Sequence, residues 1–535
     1  MSASMMRPNR RQFLSLAGAL TTTAGAGRAI AAEPRRGGTL ALLLSAEPPT
    51  ISAVAHTAYN TVIVAAKVQE GLLTYDFNLT PKPQLAVSWD VAEDGLSYAF
   101  KLRPGVKWHD GKDFTSADVA FSINALKSVH PRGRSTFANV SEIRTPDPLT
   151  VILALAKPAP YLLSAFAAAE SPIVPKHIYE QGGPVDANPA NNAPIGTGPF
   201  VFKEWVRGSH ILYERNPNYW DAGKPYIDRL IVRIIPDAAA RVAAIETGEI
   251  QLAPNSPIPL SDAERLKALP GLGFETNGYQ YTNTISRVEF NLDRPVFKDV
   301  RVRRAFAHAI DRKVIRDVVN YGYGRIIVGP ISASLAKFYV DDLKTYPFDP
   351  KEAERLLDEA GYRRGSDGVR FRLTHDYVPS GDLYRRGADY IKQALSRIGV
   401  EVTVRAQDFP SYTKRVYTDR DFDFTFNGMS NLFDPTVGVQ RLYWSKNFKP
   451  GVPFSNGSHY ANPEVDRLLE TAATELDPKK RYDHFVAFQR ILAEDLPDFG
   501  ILSSGEFTIF SRSIDGHTIG ADGVSGNLAD VHFVK

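Results

Sequence analysis

The residues that carry chemistry in proteins are thinly spread along this chain. Its eleven histidines are scattered, and none pairs with another at helical ligand spacing, which argues against a metal site built from local sequence. Cysteine is absent, which removes disulfides, thiolate metal ligands and a cysteine nucleophile. No HExxH, GxSxG, phosphate-loop or EF-hand sequence occurs. Gly196 and Gly198 in PIGTGPF lack a following Lys-Ser/Thr and read as a tight turn. His109-Asp110 reads as turn chemistry, and His56 and His308 as structural histidines. A catalytic constellation assembled from distant segments leaves no local trace, so a cleft hydrolase stays open as an alternative. No catalytic residue, metal or cofactor is assigned. Binding chemistry is better represented. The loop NGMSNLFDPTVG (427–438) carries Met429, Asn431 and Phe433 ahead of Asp434-Pro435, and Tyr443 and Trp444 follow it. Tyr279 and Tyr281 lie well upstream. Each aromatic alone reads as core; grouped around a polar loop they predict a flat or apolar face for a ligand.

The elements that must position these residues are most legible between Pro83 and Leu126. Ser97 to Arg103 alternates, with Tyr98, Phe100 and Leu102 on one face, which predicts a half-buried strand. Glu93-Asp94-Gly95 and Arg103-Pro104-Gly105 turn the chain on either side. A second short strand is expected at Val106 and Trp108. A helix follows, capped by Thr115, with Asp118 completing a capping box and Phe114 stapled to Val119. Further strands are predicted over 37–45, 150–155, 288–292, 400–404 and 422–426, and one long strand over 501–510. Helices are predicted over 58–73, 161–169, 295–315, 351–360, 383–398, 463–473 and 480–492. The arginines of 295–315 read as a solvated, partly ion-paired helix surface. Strands alternating with helices imply an α/β architecture.

At 535 residues the chain exceeds one ordinary core, so two or more domains are expected. A 43% hydrophobic and 11% aromatic content belongs to a well-packed globular protein. The net charge of +3 and the absence of a basic tract interleaved with aromatics exclude nucleic acid as a partner. Arg10-Arg11 precede Phe13-Leu14 and a mildly apolar run, and Ala29-Ile30-Ala31 offers a small-x-small cleavage site. This predicts a twin-arginine signal peptide over residues 1–31.

The segment PQLAVSWDVAEDGLSYAFKLRPGVKWHDGKDFTSADVAFS resembles the signature stretch of the extracytoplasmic solute-binding proteins of family 5, the receptors of peptide-, nickel- and opine-type ABC importers. The runs ERNPNYW, PYIDRLIVRIIPD, IETGEI and PVFKDVRVRRAFAHAIDRKVI resemble the same family in order and spacing. The resemblance implies a two-lobed, type II periplasmic-binding fold of the large form. It divides the chain into lobe I (32–75), an inserted subdomain (76–193), lobe I again (194–285), lobe II (286–502) and a return to lobe I (503–535). It also implies a monomeric periplasmic receptor, not an enzyme, that captures a small solute between its lobes and hands it to an inner-membrane permease.

Within that resemblance, peptide-binding members hold the ligand's α-amino group with an aspartate three residues before the Asp-Pro pair. Asn431 stands there in this chain, and Val378 stands where dipeptide-binding members carry an arginine for the carboxylate. The expectation is therefore weak binding of free dipeptides, and a peptide-like, opine-like or amino-sugar ligand held by Tyr279, Tyr281, Val378, Met429, Asn431, Phe433 and Trp444. An oligosaccharide receptor and a chaperone-like binder are the remaining alternatives.

Overall fold

The computed structural model describes residues 34–503 and 505–534, so the expected signal peptide lies outside the described residues. The first strand, β1 (Thr39–Leu44), is buried on both faces: Leu40, Leu42 and Leu44 enter one hydrophobic cluster, Ala41 and Leu43 another. A near-continuous apolar run is what a central parallel strand requires. The helix expected next is short. α1 (Tyr59–Ala65) stops early, and Leu73 already belongs to a strand. The chain then builds a separate four-stranded antiparallel sheet from β2 (Ala86–Val91), β3 (Ser97–Leu102), β4 (Val140–Asp147) and β5 (Thr150–Leu155), ordered β2-β3-β5-β4. Tyr98, Phe100 and Leu102 face its core. α2 (Ser116–Val129) covers this sheet and starts at the Thr115–Asp118 capping box. The expected strand at Val106 and Trp108 is a single bridge, Lys107 to Asp113. The helix expected over 161–169 is one tight turn, Leu162–Ser164; its alanines fill space under the sheet without a helical stripe.

The chain returns to the first sheet with β6 (Phe200–Val206), β7 (His210–Arg215), β8 (Arg229–Ile234), β9 (Leu252–Ala253) and β10 (Leu272–Glu275). It then crosses to a second large sheet at β11 (Thr284–Phe290). The arginine-rich segment that follows is not one helix. Asp299 accepts from Arg301 N at 2.8 Å and Asp311 from Lys313 N at 2.8 Å, each capping a new start, so α3 spans only Val300–Ala309. Its arginine face is also not wholly solvated. Arg303 is buried and donates to the carbonyls of Asp495, Leu496 and Phe297.

The second large sheet is completed by β12 (Arg325–Ile326), β13 (Phe371–Tyr377), β14 (Val400–Arg405), β15 (Phe424–Ser430) and β16 (Asp498–Ser503), ordered β12-β16-β11-β15-β13-β14. The helices α4 (Pro350–Glu359), α5 (Asp382–Arg397), α6 (Pro463–Ala472) and α7 (Pro478–Asp495) arise along the same stretch of chain. The strand expected over 501–510 is two strands in different sheets. β16 ends at Ser503, and β17 (Thr508–Ser511) pairs with β9 and β10 in the first sheet, whose order is β10-β17-β9-β1-β8-β7-β6. Two short segments, 276–283 and one that includes 505–507, thus carry the chain between two α/β lobes.

Candidate functional site

A cleft of about 890 Å³ lies where the two lobes and the inserted subdomain meet. Lobe I contributes Tyr59 from the start of α1, and the crossing segment contributes Tyr279 and Tyr281. The Tyr279 hydroxyl shares a 2.7 Å hydrogen bond with Thr508 Oγ1 and accepts from Asn255 N at 2.8 Å, so the ring is fixed to lobe I. Tyr281 donates to Ser164 O at 2.9 Å, and its ring lies 4.8 Å from Phe433 and 5.5 Å from Tyr75. Lobe II contributes Tyr377 and, from the first turn of α5, Tyr384. A side chain at Gly428 would strike the Tyr384 hydroxyl, so the neighbouring strand carries glycine there.

The charged centre of the cleft is one that the sequence did not single out. Arg132, just beyond α2, lines the cleft and forks onto Glu170 with contacts of 2.6–2.9 Å. The Glu170 side chain is only 2% exposed and that of Arg132 is 25% exposed. Burial alone would raise the Glu170 carboxyl, but the guanidinium outweighs it and holds the carboxyl below its ordinary value. Glu170 takes up Nε and Nη2, while Nη1 has no protein partner among the described residues. A second guanidinium, Arg441, stands behind the pair. It donates to the carbonyls of Gly438, Phe454 and Ser430. Burial, reinforced by Arg132, pushes it down to about 10. Two guanidiniums against one carboxylate leave a local excess of positive charge beside the cleft, with the Arg132 Nη1 as the unpartnered group of the cluster among the described residues. Asp382 and Glu506 line the same cleft.

The expected site residues fall into two groups. Tyr279 and Tyr281 line the cleft. Phe433 is 2% exposed and reaches it only by backing Tyr281. Asn431 is fully buried and turned inward: its Oδ1 accepts from Ser332 N at 2.6 Å, and its Nδ2 donates to Pro330 O at 3.1 Å. It is a strut of lobe II, not an anchor, because both ends of the amide are already used. Asp434 forms a buried bidentate pair with Arg481 at 2.7–2.9 Å and caps the turn at Thr436. Met429 and Val378 are core residues of lobe II, with Val378 N donating to Phe426 O at 3.0 Å. Trp444 points away from the cleft and donates to Glu470 at 2.8 Å. Tyr443 is buried against Asp498 and Arg287.

The missed residues, Arg132, Glu170, Tyr377 and Tyr384, carry no local signature. Arg132 reads as one more basic residue in HPRGR until its partner 38 positions away is seen.

Comparison with known proteins agrees with this architecture. Residues 80–451 match the profile of the bacterial extracellular solute-binding proteins, family 5. An ABC transporter peptide-binding protein of Brucella ovis is 31% identical over 437 residues, covering 77% of each chain. The oligopeptide-binding protein AppA of Bacillus subtilis, solved with a nonapeptide, superposes with a TM-score of 0.80 at 26% identity, covering 94% of this chain and 100% of that one. AgaA of A. tumefaciens R10, solved with agropinic acid, gives 0.77 at 26%, covering 93% and 99%. With a profile match over most of its length and a two-lobed fold around a central cleft, the chain belongs to the family 5 extracellular solute-binding proteins.

Proposed function

We propose that this protein is the periplasmic receptor of an ABC importer for a small carboxylate-bearing solute of peptide-like or opine-like type. It is exported by its twin-arginine signal, acts as a monomer, and releases its ligand unchanged. The observation that carries the ligand class is the open Nη1 of Arg132, held by Glu170 at the base of the cleft. Guanidinium–carboxylate bonds are charge-assisted and forked, so they select for carboxylates by geometry as well as by charge. Tyr59, Tyr279, Tyr377 and Tyr384 offer flat faces to the remainder of the ligand. Peptide-binding and opine-binding relatives of similar fold support the same range. A charged anchor favours this class over a neutral oligosaccharide. Ligand touching both lobes stabilises the closed form.

The test is a thermal-shift screen of the mature protein with peptides, opine-type conjugates and oligosaccharides, each carboxylate paired with its amide. Carboxylates should raise the melting temperature by RT ln(1 + [L]/Kd) linkage, their amides far less, and mass spectrometry should recover the ligand intact. Stabilisation by oligosaccharides alone, or steady turnover of a ligand, overturns the reading.

A further inference from the structure

A second cavity, of about 350 Å³, lies behind the cleft between lobe I, the subdomain and the C-terminal segment. Tyr75 on its wall packs against Tyr281 of the cleft, so an aromatic pair separates the two spaces. The charges on its lining are mostly matched. Lys82 pairs with Asp76 at 3.3 Å, and Lys224 with Asp221 and Asp530 at 3.0 and 2.7 Å. Asp522 is the exception: among the described residues its carboxylate receives no hydrogen bond and lies in no ion pair, and Oδ1 is buried. Lys67 lies close enough for its charge to act on Asp522. Its ammonium, however, is committed to the carbonyls of Val524, at 2.6 Å, and Gly526.

His517, also on the lining and 7% exposed, has both ring nitrogens without a partner. Burial lowers its proton affinity, so it is a neutral ring with one nitrogen free to accept. Burial likewise pushes the Asp522 carboxyl up to about 7, against the opposing pull of the Lys67 charge. Counting Lys67 behind the wall, four aspartates face three lysines. The unused capacity here is the Asp522 carboxylate, one accepting nitrogen of His517 and that ring's single N–H, in net negative surroundings, and buried polar groups are as a rule satisfied.

We infer that this cavity is a second ligand site, separate from the cleft, which takes a small organic cation bearing a primary ammonium group against the Asp522 carboxylate and the His517 ring. Tyr219 and Trp220 supply an aromatic wall suited to the alkyl portion of such a ligand. The inference does not depend on the ligand class assigned to the cleft.

The experiment is calorimetric titration of the mature protein with putrescine and with ethanolamine at fixed ionic strength, acetate serving as the anionic control. Wild type should show saturable amine binding. Asp522→Asn should weaken it by about ten- to a hundred-fold, the usual cost of one charge-assisted hydrogen bond. The double variant Arg132→Met with Glu170→Gln, which removes the charged pair of the cleft without stranding a buried carboxylate, should leave amine binding intact. Circular dichroism confirms that each variant folds. Should Asp522→Asn fail to fold, the indole N–H resonances of wild type report instead, since putrescine should move Trp220 and leave Trp444 in place. Absence of saturable amine binding, binding retained in Asp522→Asn, binding lost in the Arg132→Met and Glu170→Gln double variant, or a shift at Trp444 without one at Trp220 overturns the inference.

Discussion

Arg132 and Asn431 are both polar side chains set close to the cleft, and they differ in what their neighbours leave unused. Asn431 makes two hydrogen bonds, to Ser332 N and Pro330 O, which fix how one stretch of lobe II meets another. Arg132 makes a fork onto Glu170 and still has Nη1 to offer. The first residue has its hydrogen-bonding capacity directed into the fold, and the second has been immobilised by the fold with capacity to spare. For a receptor the second condition matters more, because a ligand can gain only from groups that the protein has not already satisfied, and gains most where those groups are held still.

The largest effect expected from this contrast is at Arg132. Replacing it alone would strand a buried carboxylate, so the informative variant pairs Arg132→Met with Glu170→Gln. Its affinity for a carboxylate ligand should fall roughly ten- to a hundred-fold, while the empty protein melts close to wild type. Calorimetry with the best ligand of the screen measures the first and a thermal melt the second. An unchanged affinity would place the anchor elsewhere and dissolve the contrast.

The converse holds for Asn431→Asp. A carboxylate there keeps an acceptor for Ser332 N but sets an oxygen against the carbonyl of Pro330, in a site with no exposure. The variant should lose about 1–3 kcal/mol of stability, read as a lower melting temperature. Its ligand selectivity should stay that of wild type. A gain of affinity for cationic ligands, with stability intact, would show that the side chain reaches the cleft after all.

How far the sequence could be read follows the same division. Period-two alternation revealed β3, and cap chemistry revealed the start of α2, because both are local. The break of the arginine-rich segment at Asp299 and Asp311 was also local, yet the apolar spacing across it imitated one helix. The split of 501–510 between two sheets was hidden, since strand-forming residues on either side of a crossing look like one strand. In the site, Tyr279 and Tyr281 were legible as aromatics beside a domain crossing. Asn431 was found by its position before Asp434-Pro435, but sequence position does not say which way a side chain turns. Arg132 stayed invisible because what singles it out as the proposed anchor is its setting beside Glu170 and Arg441, which only the tertiary fold brings to it.

The smallest effects sharpen the contrast within one residue type. Tyr281 and Tyr384 both line the cleft, but the Tyr281 hydroxyl is bonded to Ser164 O, whereas the Tyr384 hydroxyl carries no hydrogen bond from the described residues. Tyr281→Phe therefore leaves the Ser164 carbonyl short of a donor and should cost about 0.5–1.5 kcal/mol of stability, with little change in affinity. Tyr384→Phe removes a hydroxyl that the fold does not use. Stability should hold or rise slightly, and affinity should fall by about two- to ten-fold if the ligand meets that hydroxyl, as expected for one neutral hydrogen bond. Measuring melting temperature and affinity for both variants separates the two roles. If both lose stability and neither loses affinity, the unspent hydroxyl has no part in binding, and spare hydrogen-bonding capacity ceases to be a guide to this cleft.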